Sequence, residues 1–216
     1  GKYLAVLDDD DELRPEALET AVAEFERLSA KDAGIIWFNN VDFERWERSG
    51  WGPKDAEGEV LYEDLLCGRI GGDYWQVVRR EIIGLEDRYD ERLWCGEILW
   101  WLGLHRKCLA YYVPKVLLVC HREHGGERLS NLETMLNHLP QLILTNKALI
   151  TGYGDEQRRL CPKAYGRRLG ILGAYQIMNG QKKDGRIACR ESLRYHRSFV
   201  CTVVFLLSFL LAGYQI

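Results

Sequence analysis

The chain opens with Gly1-Lys2-Tyr3-Leu4-Ala5-Val6-Leu7-Asp8-Asp9-Asp10-Asp11-Glu12-Leu13-Arg14-Pro15-Glu16-Ala17-Leu18, and this segment predicts the fold class. Tyr3 to Leu7 is continuously apolar, which predicts a strand buried on both faces of a sheet. An acidic loop follows, and Pro15 stands near the first turn of a helix that reaches about Leu28. The order strand, acidic loop, helix predicts an α/β fold.

The rest of the chain changes character near residue 131. Before this point the pattern predicts a strand over Ala33 to Asn39 and two strands, Leu109 to Val113 and Val116 to Cys120, on either side of Pro114. After it, every segment favours helix and no strand-like alternation remains. The sequence therefore predicts one domain over residues 1–131 and a helical region over residues 132–216.

The run of five acids at Asp8 to Glu12 is the sharpest chemical signal. Five adjacent carboxylates repel one another, so the run costs stability unless a cation neutralises it. Carboxylate oxygens suit hard divalent ions such as Mg²⁺ or Mn²⁺, and ligands gather at the carboxyl ends of strands in open α/β sheets. The alternative is a solvated acidic cap that complements the N-terminal dipole of the following helix.

Three known binding motifs do not fit the acidic run. An EF-hand loop beginning at Asp8 would have Glu19 at its twelfth position, but Leu13 occupies the position that requires glycine. A haloacid-dehalogenase-type phosphatase would have Thr or Val where Glu12 stands, and no P-loop occurs. The net charge of −3 gives no electrostatic reason to expect nucleic acid as a partner.

The opening segment resembles the signature of family 2 glycosyltransferases, a strand followed by L-D-x-D-D and then P-x-x-L. The resemblance implies part of a GT-A fold, a Rossmann-like mixed sheet that binds a nucleotide-diphospho-sugar. It also implies that Asp8 and Asp10 hold a divalent cation, Mg²⁺ or Mn²⁺, on the donor diphosphate. Asp9 and Asp11 would then lie beside that diphosphate.

Further matches follow in the family's order. Val78 to Glu81 and Tyr89 to Leu93 resemble its "RRE" and "G-F-D-E-x-L" stretches, and Gly96-Glu97 falls where the family has "G-E-D". By this resemblance Glu97 is the catalytic base. His121 to Ser130 resembles the "R-x-H-x-x-S" segment that closes the active site. We expect His124 beside the donor diphosphate. The residues expected beside the acceptor are Gly71, Gly72, Trp75 and Trp100.

Two positions depart from the family pattern. The strand and loop that hold the nucleotide would precede Gly1, and Ile98 occupies the place of the Asp in "G-E-D". The implied function is inverting, metal-dependent sugar transfer to a glycan or lipid-linked acceptor, in polysaccharide, glycolipid or glycoprotein synthesis. A carboxylate at Glu97 can deprotonate an acceptor hydroxyl. The alternative is a truncated or degenerate module that binds a membrane or a partner without catalysis.

The end of the chain predicts contact with a membrane. Residues 199–216 carry no charge and follow Arg186, Arg190, Arg194 and Arg197. Eighteen helical residues extend roughly 27 Å, the lower limit for spanning a bilayer. An interfacial helix and a packed terminal helix are the alternatives. Seven scattered cysteines predict reduced thiols, so we expect a cytoplasmic protein at the cytoplasmic face of the membrane.

Overall fold

A computed structural model describes residues 1–48, 50–52, 55–121 and 131–210 of the 216-residue chain. The chain divides into two compact units. The first, which we call the sheet unit, comprises Gly1–Arg88 and Trp100–Gly126. The second, which we call the helical unit, comprises Tyr89–Leu99 and Glu127–Ile216.

The sheet unit is built on one mixed sheet. Its strands are β1 (Tyr3–Ala5), β2 (Asp11–Leu13), β3 (Ala33–Asp42), β4 (Gly58–Val60), β5 (Tyr74–Arg79) and β6 (Leu109–Cys120). The order along the sheet is β1, β5, β3, β6, β2, and β4 also pairs with β6. β3 and β6 run parallel, whereas the other described pairs are antiparallel. The α/β class and the mixed sheet are confirmed, and the GT-A fold stays a prediction.

The first strand differs from the prediction. β1 ends at Ala5 and lies at an edge of the sheet, and Val6 and Leu7 are exposed. The prediction of a strand buried on both faces over Tyr3 to Leu7 is therefore wrong. The acidic run also leads first into β2, because Asp11 to Leu13 pairs with the end of β6. Pairing with β6 overrides the low strand propensity of acidic residues.

Helix α1 (Ala17–Arg27) packs on the sheet through its apolar face. Phe25 is buried and stacks on Tyr3 with ring centroids 4.4 Å apart. Glu24 is also buried and accepts hydrogen bonds from Lys115 Nζ at 2.7 Å and Arg27 Nε at 2.5 Å. Burial alone would raise the pKa of Glu24, but these two cations lower it, so the carboxylate stays ionised and joins α1 to β6.

Three short elements and one longer helix complete the description of the sheet unit. They are α2 (Tyr62–Leu66), two 3-10 turns (Ser29–Lys31 and Arg80–Ile82) and α3 (Glu97–His105), whose first residues belong to the helical unit. His105 is buried, and its Nε2 accepts a hydrogen bond from Trp37 Nε1 at 3.0 Å. Burial lowers the pKa of His105 to about 4, although the bond to the Trp101 carbonyl opposes this shift. The imidazole is therefore neutral near pH 7.

The helical unit contains α4 (Leu132–Asn137), α5 (Leu139–Leu160), α6 (Pro162–Met178), α7 (Lys182–Tyr195) and α8 (Phe199–Leu210). α6 and α7 approach closely because glycines face the neighbouring helix. A Cβ added at Gly173 would lie 2.6 Å from Cys189 Sγ and 2.8 Å from the Gly185 carbonyl oxygen. Ser192 Oγ donates to the Gly166 carbonyl at 2.6 Å across the same contact.

Helix α8 buries one narrow face and exposes the opposite one. Cys201 and Ser208 are buried, and Arg186 of α7 donates from Nε to Ser208 Oγ at 3.0 Å. The guanidinium of Arg186 also lies 4.1 Å from the ring centroid of Phe209. Among the described residues, no helix is long and apolar enough to span a bilayer.

The cysteines differ in part from the expectation. Cys95, Cys108, Cys120, Cys189 and Cys201 are free thiols. Cys67 and Cys161 are disulfide-bonded, so the expectation that all seven cysteines are reduced is wrong for these two. Scattered spacing alone identified neither residue, because disulfide geometry depends on distances in the folded chain.

Candidate functional site

The acidic residues form a turn between two edges of the sheet. The backbone N–H of Asp11 donates to the Asp8 carbonyl at 3.2 Å, which closes the turn. Because β1 and β2 stand at opposite ends of the strand order, the segment that contains this turn connects one edge of the sheet to the other. Asp8, Asp9 and Asp10 are exposed and Asp11 is half-buried.

A carboxylate from another part of the chain lies close to Asp8–Asp11. Asp73 immediately precedes β5 and acts electrostatically on both Asp8 and Asp11. Although Asp8 is exposed, the surrounding turn partly desolvates its carboxylate and raises its pKa, and the charges of Asp10, Asp73 and Asp9 add to this shift. Burial and the neighbouring carboxylates likewise raise the pKa of Asp11, although a hydrogen bond with Cys120 opposes the shift. We call Asp8, Asp9, Asp10, Asp11 and Asp73 the acidic cluster.

The sequence did not identify Asp73 as a site residue, but the pairing of β1 with β5 places it near the acidic run. β1 and β5 are antiparallel, with Ala5 opposite Val77. The residue that precedes β5 therefore lies beyond the end of β1, where the acidic run begins. The turn Gly71-Gly72 directly before an acidic residue was the available clue, but the pairing of β1 with β5 was needed to interpret it.

The donor atoms of the acidic cluster fit a hard divalent cation in their chemistry. They are carboxylate oxygens, and desolvation together with mutual repulsion raises the pKa values of Asp8 and Asp11, which a bound cation would lower. Within the described ranges, however, no group of three or more His, Cys, Asp or Glu side chains is arranged to hold a metal ion. The roles of Asp8 and Asp10 as ligands, and the identity of the ion, stay predictions.

The two glycines expected at the acceptor side shape a turn beside the acidic cluster. Gly71 exchanges backbone hydrogen bonds with Trp51, at 2.9 and 3.1 Å. A Cβ on Gly71 would lie 2.7 Å from the Trp51 ring, and Gly72 has φ of 89°, which favours glycine. Both glycines are therefore required by the turn, and acceptor binding by them stays a prediction.

The two tryptophans expected at the acceptor side differ in exposure. Trp75 is only 1% exposed and packs in the hydrophobic core, 5.7 Å from the ring of Phe38. Its expected place in an acceptor groove is therefore corrected, because a ring in the core cannot stack on a ligand. Trp100 is half-buried, and its Nε1 donates to the Asp87 carbonyl at 3.0 Å.

Glu97 is exposed at the start of α3 and belongs to the helical unit. The loop before it is held firmly: the Trp94 ring stacks on His138 at 3.6 Å, and Thr145 Oγ1 donates to the Trp94 carbonyl at 2.8 Å. Burial and the charge of Glu97 raise the pKa of Tyr89, so the two side chains are neighbours. Cys95 adopts φ of 53°, a left-handed conformation that is uncommon for a residue with a side chain.

The structure brings together Asp8, Asp9, Asp10 and Asp11, with Gly71 and Gly72 preceding Asp73. His124 lies in residues 122–130, which are outside the described residues. Glu97 lies in a different unit from the acidic cluster. Four aspartates proposed for the donor side, Asp8 to Asp11, therefore lie together. The role of Glu97 as catalytic base stays a prediction from the resemblance.

Comparison with known proteins supports one general class of activity. The chain is similar to GalNAc(5)-diNAcBac-PP-undecaprenol beta-1,3-glucosyltransferase of Campylobacter jejuni subsp. jejuni, with 24% identity over 119 residues. The matched part covers 55% of this chain and 38% of that relative. No family model matches the chain. The similarity is weak, and it suggests a glycosyltransferase and supports sugar transfer in general.

Proposed function

We propose that this chain forms part of a glycosyltransferase that moves a sugar from a nucleotide-diphospho-sugar to an acceptor hydroxyl. The observation that carries the proposal is the similarity to the Campylobacter glucosyltransferase. The cluster of carboxylates at the end of β1, in the order typical of family 2, supports a diphosphate donor.

In the proposed reaction, Glu97 accepts the proton of the acceptor hydroxyl while the hydroxyl oxygen attacks the anomeric carbon. The bond between that carbon and the diphosphate oxygen breaks, and the diphosphate leaves with the electron pair. Because the hydroxyl oxygen attacks from the face opposite the leaving diphosphate, the anomeric configuration is inverted. A divalent cation held by Asp8 and Asp10 would supply positive charge for the leaving diphosphate. The resemblance assigns Asp9, Asp11 and His124 to the diphosphate, and Gly71, Gly72 and Trp100 to the acceptor.

We further propose a lipid-linked acceptor at the cytoplasmic face of a membrane. The name of the Campylobacter relative includes a glycan on diphospho-undecaprenol. Helix α8 exposes a continuous apolar face, formed by Phe199, Val200, Leu206, Leu207 and Phe209. Residues 182–210 contain six Lys or Arg and two Asp or Glu, a net charge of +4, whereas the whole chain carries −3. An apolar face beside basic residues suits the surface of an anionic bilayer.

The transfer activity is tested with the full-length protein that contains this chain. UDP- and GDP-linked hexoses and N-acetylhexosamines are offered with Mn²⁺ and an undecaprenyl-diphosphate-linked N-acetylhexosamine oligosaccharide. We expect nucleoside diphosphate release and an acceptor heavier by one sugar, both abolished by EDTA. Binding of donor or acceptor without transfer from any donor would instead support the non-catalytic module, which the Ile98 departure favours.

The membrane proposal is tested by sedimentation with lipid vesicles. The double variant Phe199→Ser and Leu206→Ser should bind anionic vesicles about 10-fold more weakly than the unchanged protein. Leu132→Ser is a matched control, because Leu132 is exposed on α4 in the same unit. High salt should weaken binding to anionic vesicles. Equal binding by the double variant and the control would contradict an anchor on α8.

A further inference from the structure

Two exposed aromatic side chains stand on the tight loop that follows β3. Phe43 is 49% exposed and Trp46 is 64% exposed, and their ring centroids lie 6.4 Å apart at an interplanar angle of 40°. We call Phe43 and Trp46 the aromatic patch. Large aromatic rings are costly to leave in water, so two exposed rings on one loop offer apolar surface that a small ligand can cover.

The loop under the aromatic patch is closed by hydrogen bonds to one buried residue. The backbone N–H of Asp42 donates to the Glu47 carbonyl at 2.9 Å, and the N–H of Trp46 donates to the Asp42 carbonyl at 2.8 Å. Asp42 Oδ1 accepts the backbone N–H groups of Glu44 and Arg45 at 3.1 and 2.9 Å. These bonds hold the backbone of Trp46 at φ of 57°, a left-handed conformation.

The aromatic patch adjoins the acidic turn within the sheet unit. The Phe43 N–H donates to the Cys120 carbonyl at 2.9 Å, and Cys120 lies opposite Asp11 in the pairing of β6 with β2. The Phe43 ring lies 4.6 Å from the His121 ring, and His121 Nε2 is 3.6 Å from a Glu12 carboxylate oxygen. β3 and β6 both end here, and ligands of such sheets bind beyond the carboxyl ends of parallel strands.

We propose that the aromatic patch binds a pyranose ring of the carbohydrate substrate, with the apolar C–H face of the sugar stacked on Trp46 and Phe43. The inference rests on the proposed sugar transfer and extends it to two residues that the donor and acceptor sites do not include. A sugar is uncharged and rich in hydroxyls, and the neighbouring residues Glu44, Arg45 and Glu47 provide charges of both signs that can accept or donate hydrogen bonds.

Alternative occupants fit this surface less well. Two rings are too few for the contiguous apolar area that marks a protein interface. The nearby carboxylates of Glu12 and the acidic cluster would repel an anionic membrane. A neutral sugar meets neither objection, because it needs only one or two aromatic faces and several polar partners.

The test measures sugar binding directly, without donor or metal. Ligand-observed NMR follows a panel of hexose and N-acetylhexosamine disaccharides added to the full-length protein in EDTA. Trp46→Gly removes the ring and suits the φ of 57°, so the loop keeps its conformation. Trp46→Tyr restores an aromatic face. Leu85→Ala is the matched control, because Leu85 is an exposed apolar side chain of the same unit that belongs to no proposed binding site.

We expect at least one disaccharide to bind, with the affinity reduced by about five-fold or more in Trp46→Gly and largely restored in Trp46→Tyr. Leu85→Ala should bind the disaccharide as the unchanged protein does. No binding by any disaccharide, or equal binding by Trp46→Gly, would overturn the aromatic patch. Sugar binding through Trp46 in a protein that transfers no sugar would support the patch and contradict the proposed function, so the two can fail separately.

Discussion

The sheet unit and the helical unit expose different chemistry. In the sheet unit, carboxylates gather in the acidic cluster, and the pKa values of Asp8 and Asp11 are raised by burial and by like charges. In the helical unit, α8 exposes apolar side chains, with Phe199 83% exposed, and basic residues precede it. One unit therefore concentrates negative charge, and the other concentrates uncovered apolar surface.

The acidic cluster and the exposed apolar face of α8 have different physical consequences. Crowded carboxylates destabilise the folded chain until a cation or a bound ligand neutralises them. An exposed apolar helix face favours contact with another apolar phase. We infer that the sheet unit binds the charged donor and that the helical unit provides the anchor. Glu97 is the exception, because the proposed base lies in the helical unit.

The largest expected effect comes from the acidic cluster. Asp10→Asn removes a proposed metal ligand while keeping the shape of the side chain, so transfer should fall by about 10³-fold. Calorimetric titration of Mn²⁺ with the nucleotide-sugar should show the loss of donor binding. Glu19→Gln, an exposed acid on α1, is the matched control. Vesicle binding by Asp10→Asn should be unchanged, and donor binding equal to that of the control would refute the metal role.

Acid should destabilise the sheet unit through His105. Its folded pKa of about 4 lies below its ordinary value of 6.5, so the unfolded chain binds the extra proton first. The contribution of neutral His105 to the free energy of unfolding is complete above pH 6.5. About 3 kcal/mol of it is lost as the pH falls from 6.5 to 4. Denaturant unfolding across this range measures the loss.

The control for this prediction is His105→Gln, which keeps an acceptor for Trp37 Nε1 and has no proton to gain. The difference in unfolding free energy between the unchanged protein and this variant should shrink as the pH falls. A difference that stays constant between pH 6.5 and 4 would show that His105 is not the titrating group.

Glu97→Gln tests the one proposed catalytic group of the helical unit. The amide keeps the shape of Glu97 but cannot accept a proton, so turnover should fall by roughly 10²-fold while the affinity for the donor is little changed. Steady-state kinetics with the lipid-linked acceptor separates the two effects. Asp155→Asn, a highly exposed acid on α5, serves as the control. Normal turnover would rule out Glu97 as the catalytic base.

The sequence predicted the parts of the fold that depend on local patterns. The apolar run from Ala33 became the fully buried strand β3, and the region after residue 131 is helical as far as it is described. Helix α1 ends at Arg27, close to the predicted limit. These elements have a strong periodicity or a continuous apolar run, and their neighbours do not change their type.

Elements that depend on pairing were not predicted. β6 continues through Pro114, because residues 114 and 115 form a bulge: Phe38 pairs with Val113 and Asn39 with Val116. The exposure of the aromatic residues was also unpredictable from the sequence. Trp75 stands between Tyr74 and Gln76, two residues with polar groups, yet the sheet places its ring in the core, whereas Trp46 lies exposed on a loop.

The smallest expected effect concerns the repulsion within the acidic cluster. The folded pKa of Asp8 is raised, so its contribution to stability falls as the pH rises from the ordinary value of 3.8 through the folded pKa. At pH 7 the ionised carboxylate therefore costs stability, and Asp8→Asn should raise the unfolding temperature by about 1–2 °C in EDTA. Below pH 3.8 the two proteins should melt together. Scanning calorimetry with Glu19→Gln as control measures this difference.

Mn²⁺ with the nucleotide-sugar should stabilise the unchanged protein more than the variant. The unchanged protein should then have the higher unfolding temperature. A variant that melts lower in EDTA would show that Asp8 makes a net favourable contact in the turn, and the cluster would then not need a cation.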